Sequence, residues 1–170
     1  MISKKLEEAI NDQINAEFYS AYLYLSMAAY FDDMNLKGFA NWTRVQAQEE
    51  TYHALKFFDY LAERGGRAIL QAIKEPPNKW ESPLDVFEEI YKHECYVTER
   101  INNLVKLAKE KNDNAAEIFL QWYVTEQVEE EASANEIVKK LKLIGDNPNA
   151  LLLLDSQLAT RVFTPPTTTK

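Results

Sequence analysis

Four long segments of the chain carry apolar residues at every third or fourth position, and near its middle each apolar run is broken by a glutamate. This period is that of an α-helix burying one face. The first stripe reads Ile10, Ile14, Glu17, Ala21, Tyr24, Ala28, and the second Phe39, Thr43, Gln46, Glu50, His53, Phe57, Tyr60. The third reads Leu84, Phe87, Tyr91, Glu94, Thr98, Ile101, Val105, and the fourth Leu120, Tyr123, Gln127, Glu130, Ala134, Ile137, Leu141. Nowhere does hydropathy alternate as in a half-buried strand, so the chain reads as all-α.

The helices are expected over Lys4 to Asp33, Leu36 to Glu63, Pro83 to Lys111 and Asn114 to Ile144. Ser82 and Pro83 suit an N-cap and a first-turn proline, Gly65-Gly66 and Gly145 suit helix ends, and Asn112-Asp113 separates the third helix from the fourth. A shorter apolar helix is expected over 148–161, followed by a mobile tail over 163–170 that includes "TPPTTTK". The whole, 1–170, suits one domain with a four-helix bundle over 4–144.

The connection from Gly66 to Ser82 is long for a compact bundle. Extended chain covers at most ~3.3 to 3.6 Å per residue and a helix rises about 1.5 Å, so this loop is able to run the length of a helix of about 28 residues. Such a crossover makes the second and third helices parallel, while the tight turns keep the other sequential pairs antiparallel. Glu17, Glu50, Glu94 and Glu130 then lie about 13 to 17 residues from one common end, a spread of roughly 6 Å. They converge in one layer.

Four carboxylates do not sit uncompensated in a low-dielectric core, since each desolvated charge costs several kcal/mol and like charges repel. Protonation is one remedy. Two divalent cations are another, neutralising four glutamates. Glu50 and His53, at i and i+3, point the same way, so that Glu50 is placed to bridge two ions and His53 to bind one. Oxygen donors with one imidazole suit iron or manganese better than a soft metal. Tyr24 and Trp122 read as core aromatics, Cys95 as a packed thiol and His93 as an exposed residue without function.

A formal charge of -8 argues against a nucleic-acid partner and favours cations. The single cysteine excludes an internal disulfide, and "MISKKLEEAI" lacks the apolar run of a signal peptide. No stretch reaches the length of a membrane span, which leads to the expectation of a soluble, cytoplasmic protein without a membrane partner.

The motifs "NAEFYSAYLYLS" around Glu17, "QAQEETYHA" around Glu50 and His53, "HECYVT" around Glu94 and "WYVTEQVEEEAS" around Gln127 and Glu130 resemble the non-haem ferritins of bacteria and archaea, over essentially the whole chain. The resemblance implies a ferritin-like four-helix bundle with one long crossover loop and a short fifth C-terminal helix. It implies a di-iron ferroxidase centre with Glu17, Glu50 and His53 on one iron and Glu50, Glu94 and Glu130 on the other, Gln127 close by and a redox-capable Tyr24 near. A neighbouring third iron site is implied from Glu49, Glu126 and Glu129, shared with Glu130; read alone, the run "EQVEEE" is a solvated helix face.

Where many di-iron relatives carry a second Glu-x-x-His, this chain has Gln127-Val128-Glu129-Glu130, so one iron lacks an imidazole and is expected to be held loosely and passed on after oxidation. Tyr52 stands where haem-binding relatives place a methionine, so no haem is expected, and the absence of Cys-x-x-Cys removes an iron-sulfur module. Helix one shows a second apolar face, Phe18, Tyr22, Leu25 and Ala29, which calls for a subunit neighbour. By resemblance, "NPNALLLLDSQLATRVF" is a fifth helix near a symmetry axis of a 24-subunit homo-oligomeric cage. The function expected is iron storage: Fe(II) is oxidised by dioxygen or peroxide and kept as a ferric mineral. A non-storage di-iron oxidase or peroxidase of the same fold is the alternative, and an inert helical bundle with protonated glutamates is a third reading.

Overall fold

The computed structural model describes residues 1–165; the last part of the tail expected over 163–170 lies outside the described residues. Five helices follow one another: α1 (Lys4–Asp33), α2 (Lys37–Glu63), α3 (Pro83–Glu110), α4 (Asn114–Ile144) and α5 (Pro148–Leu158). No strand occurs among the described residues.

The helix starts have local causes. Ser3 Oγ accepts from Leu6 N–H, Ser82 Oγ from Asp85 N–H ahead of which Pro83 sits at the first helical position, and Asp113 from Ala116 N–H. The turns use residues that tolerate positive φ: Asn35 at 60°, Gly65 at 72° and Asn112 at 52°. α2 alone among α1 to α5 has no side-chain cap of its own, because Leu36 stands at its N-cap. Asp155 of α5 supplies one instead.

The crossover between α2 and α3 runs lengthwise along α1, tied down by that helix's polar residues. Asn11 Nδ2 donates to the Arg67 carbonyl at 3.0 Å, Asn15 Nδ2 to the Ala72 carbonyl at 3.2 Å, and Ser26 Oγ to the Pro77 carbonyl at 2.7 Å. Trp80 then packs edge-on against Tyr30, with ring centres 5.4 Å apart. The loop thus climbs α1 from its first turns to its last, and α3 starts parallel to α2. Loop carbonyls that would otherwise face only water are satisfied by these two amides and one hydroxyl.

α1 packs chiefly on α2 and α3 on α4. The apolar interior falls into two blocks. One gathers Tyr24, Phe31, Phe39, Phe87, Ile137 and Leu141 with Leu154 and Leu158 of α5; the other gathers Leu6, Ile14, Phe57, Leu61, Ile101, Leu120 and Tyr123. Glu17, Gln46, Glu50, His53, Glu94, Gln127 and Glu130, all buried, are interposed at mid-height.

Every residue of the stripes on α1, α2 and α4 is buried. On α3 the buried arc is rotated: Val86, Ile90, Val97 and Leu104 are buried, whereas Leu84, Tyr91, Thr98 and Val105 of the expected stripe are only half-buried. Phe87, Glu94 and Ile101 lie on both arcs, so the position of Glu94 is unaffected. α5 is shorter than the 148–161 expected, ending at Leu158. Past that point the chain follows α2: Asn41 Nδ2 donates to the Arg161 carbonyl at 3.0 Å and lies 3.3 Å from the carbonyls of Leu158 and Ala159. Phe18 is half-buried on the second face of α1, while Tyr22 at 51%, Leu25 at 49% and Ala29 are exposed there, leaving that face uncovered within the chain. Among the described residues no helix is long and apolar enough to cross a membrane.

Candidate metal centre

Each of the four bundle helices contributes a carboxylate to the layer. Glu17, Glu50, Glu94 and Glu130 are between 1% and 5% exposed, and His53 is 3% exposed. Glu17, Glu50 and His53 each offer an atom within 4.8 Å of the others, the spacing of a shared cation. His53 Nδ1 lies 3.5 Å from Glu50 Oε2, as the i, i+3 placement on α2 requires. Tyr123 holds this turn of α2 by donating its hydroxyl to the His53 carbonyl at 2.9 Å, and Trp122 stands edge-on to the imidazole at 5.3 Å.

The other expected trio, Glu50, Glu94 and Glu130, shares the layer but does not close to that spacing, because other donors hold two of its members. The Tyr24 hydroxyl donates to Glu94 Oε1, and Gln127 Nε2 lies 3.2 Å from both Glu94 Oε2 and the Glu94 carbonyl. Gln46 Nε2 donates to Glu130 Oε2 at 2.6 Å and reaches Glu50 Oε1 at 3.3 Å. A second close group consists of His53, Glu126 and Glu130. Of the outer acids, Glu49 and Glu126 are half-buried and Glu129 is exposed. Glu49 is paired with Arg161.

Burial sets the electrostatics. Desolvation, then repulsion by Glu50, pushes the Glu17 carboxyl up to about 8 despite the pull of His53 and Gln13. Glu50 and Glu130 rise well above the usual carboxylate range, again by desolvation first and repulsion by Glu94 next. Glu94 is also raised by desolvation, with the Tyr24 and Gln127 hydrogen bonds opposing the rise. Burial beside Glu94 lifts the Tyr24 phenol well above its ordinary value. The layer therefore holds protons or cations, and its donor set suits cations. Gln46 Oε1 is buried without a hydrogen-bond partner, and Glu17 Oε2 has none except Glu50, with which it shares a proton that a cation would replace. Oxygen donors and one imidazole match hard or borderline divalent metals.

Besides Gln127, two amides orient these acids: Gln13, which the stripes leave out, and Gln46, which they carry only as a buried position. Gln13 Nε2 donates to Glu17 Oε1 at 2.8 Å, and Arg100 Nε fixes the amide by donating to Gln13 Oε1 at 2.9 Å. Gln13 and Gln46 each stand four residues before a stripe glutamate, and an amide one turn before a buried carboxylate is the signal that would have found both. His93 is half-buried, not exposed: its Nε2 lies 2.7 Å from Ser20 Oγ, its ring is edge-on to Tyr24 at 6.3 Å, and burial pushes it down to about 4. Cys95 is half-buried beside Tyr91.

The family profile described as Ferritin-like domain matches residues 7–144. A bacterial non-heme ferritin of Bacteroides fragilis is 46% identical over 161 residues, covering 95% of this chain and 100% of the relative. One of Staphylococcus saprophyticus is 43% identical over 163 residues, covering 96% and 98%. Among solved structures, an engineered closed form of the Archaeoglobus fulgidus ferritin superposes with a TM-score of 0.96 at 61% identity, over 96% of this chain and 100% of that one. The open-pore ferritin of the same hyperthermophilic archaeon gives 0.94 at 60% identity, over 95% and 100%. A bundle crossed by one long loop, an acid layer at its centre and likeness along nearly the whole length agree: the chain belongs to the ferritin family.

Proposed function

We propose that this chain stores iron: it takes up ferrous ions, oxidises them at the interior acid layer with dioxygen or peroxide, and keeps the ferric product as an oxyhydroxide mineral inside a shell of many copies, a 24-subunit cage by family likeness. The observation that carries this reading is the layer of four buried carboxylates and one imidazole, in which Glu17, Glu50 and His53 close to the spacing of a shared cation. Its relatives being named non-heme ferritins supports the same reading.

In this reading Glu17, Glu50 and His53 hold one ferrous ion, and Glu50, Glu94 and Glu130 the other, with Gln127 beside it. The side chains exchange protons for metal as the ions enter. Two ferrous ions supply the two electrons that reduce dioxygen to hydrogen peroxide, or hydrogen peroxide to water. A layer of anionic oxygens favours the more highly charged ferric product, and bringing two ions together lets both electrons leave at one place. Tyr24, hydrogen-bonded to Glu94, is placed to relay an electron or to steady that ligand. The ion on Glu94 and Glu130 lacks an imidazole and leaves after oxidation. Glu126, Glu129 and Glu130 form an outer stop for a third iron, with Glu49 beside them as a further carboxylate. No haem enters the scheme.

Adding ferrous salt to the iron-stripped protein in air, while following ultraviolet absorbance and particle size, tests chemistry and assembly together. Fast oxidation by a large hollow particle that retains the iron is the outcome expected. Slow oxidation at the uncatalysed rate would reject the centre, and fast oxidation by a monomer or dimer that retains no mineral would favour the non-storage oxidase.

A further inference from the structure

Glu49 is the further carboxylate that α2 offers the outer stop, yet it is already engaged. Its Oε2 is ion-paired with Nη2 of Arg161, three residues beyond the end of α5. This arginine is locked in place. Its guanidinium carbon lies 4.4 Å from the centre of the Trp42 ring and its Nη1 is 3.5 Å from the Trp42 carbonyl. Its own carbonyl accepts from Asn41 Nδ2 at 3.0 Å, and two residues on the Phe163 ring lies 6.4 Å from that of Tyr52. Residues 159–163 thus form a strap along α2 from Asn41 to Tyr52. The side chains of Arg161 and Glu49 are 24% and 21% exposed, so their pair is partly shielded from water. The outer atoms that do close to metal-binding distance come from His53, Glu126 and Glu130, without Glu49.

We propose that Arg161 is a tethered cation that withholds Glu49 from the outer metal, so that the outer site holds its ion weakly until the strap lifts. A guanidinium and a divalent ion compete for one carboxylate and repel each other across it. The coupling is reciprocal: whatever lifts the strap strengthens the outer site, and an ion that captures Glu49 loosens the strap and with it the end of α5. This inference rests on the iron-handling reading above, but concerns only how tightly the third ion is held.

Equilibrium titration of the assembled, iron-stripped protein with Zn²⁺, a redox-inert probe, separates the ions by affinity. Arg161→Gln is expected to tighten the weakest of three ions by about fivefold or more while leaving the two tighter ions unchanged. Glu49→Gln alone should shift that weak ion by less than about twofold, and should cancel the gain in the Arg161→Gln background. A weak ion that is unmoved or weakened in Arg161→Gln, or that Glu49→Gln alone weakens by more than about fivefold, overturns the strap. So does the absence of a third ion from both proteins. Should Arg161→Gln fail to assemble, the Glu49→Gln result in the parent chain still decides. The two tight ions report on the interior layer separately: their absence would reject the functional reading, whereas their presence with an unmoved third ion rejects the strap alone.

Discussion

The carboxylate of Asp155 accepts hydrogen bonds from the backbone N–H groups of Gly38 at 2.7 Å and Phe39 at 3.0 Å, capping α2 from a helix more than a hundred residues away. The approach requires glycine: a Cβ on residue 38 would stand 1.6 Å from the Asp155 carbonyl oxygen. Leu154 and Leu158 of α5 are buried through the same docking. We expect Gly38→Ala to lower stability by about 1 to 3 kcal/mol through overpacking. Asp155→Ala should cost about 1 kcal/mol through the lost cap. Chemical denaturation of the two variants would measure both, and an unchanged midpoint in Gly38→Ala would mean that α5 docks elsewhere.

Removal of an interior ligand should separate chemistry from architecture. Glu50→Ala and His53→Ala are each expected to slow the first seconds of iron oxidation by about tenfold or more. Both should still assemble, since neither side chain bonds outside the layer in a way the fold depends on. Stopped-flow absorbance with sizing of the same samples is the measurement, and unchanged initial rates in both variants would dismiss the centre.

The raised carboxyl groups make a pH prediction of definite sign. Glu17 has an ordinary value of 4.5 and is pushed up to about 8 in the folded chain, so the fold binds its proton more tightly than the unfolded chain does. That contribution to stability is full below about pH 4.5 and is lost as pH rises through about 8. Glu50, Glu94 and Glu130 shift in the same direction and add to the loss. Iron-stripped protein should therefore unfold at progressively lower temperature from pH 5 to pH 9, and saturating Zn²⁺ should flatten the trend by replacing the protons. A melting temperature that climbs over this range without metal would contradict the burial of these acids.

All four stripe glutamates are buried in the layer, but the close group that includes Glu130 is formed with His53 and Glu126 and not with Glu50 and Glu94. Glu17, Glu50 and Glu130 were legible because the periodicity of α1, α2 and α4 fixes a face, and the length of the crossover fixes a common height. On α3 the periodicity left the arc ambiguous, because Tyr91 and Thr98 satisfy the spacing as well as Ile90 and Val97 do; only packing against the neighbouring helices chooses between them. The cap from Asp155, the contacts of Asn41 at the end of α5 and the Arg161–Glu49 pair all join residues more than a hundred positions apart, and no local pattern announces such contacts. The second group of His53, Glu126 and Glu130 was hidden for another reason: "EQVEEE" reads as a solvated surface until the depth of His53 is known.

Gln46 gives a test of the orienting amides. Its side chain donates to both Glu130 and Glu50 from a fully buried position. Gln46→Leu keeps the volume but removes the donor, and we expect the two tight Zn²⁺ ions to weaken by roughly tenfold with the fold retained. Unaltered affinity would reduce Gln46 to a packing residue.

The belt of acids between two greasy halves also says where such a bundle breathes. At mid-height the helices are joined mainly by hydrogen bonds among groups that need protons or cations to stay buried, so the waist is the cross-section most easily loosened until ions brace it. Cargo and crossbar would then be the same atoms: each subunit would stiffen as it fills and soften as it hands its iron on.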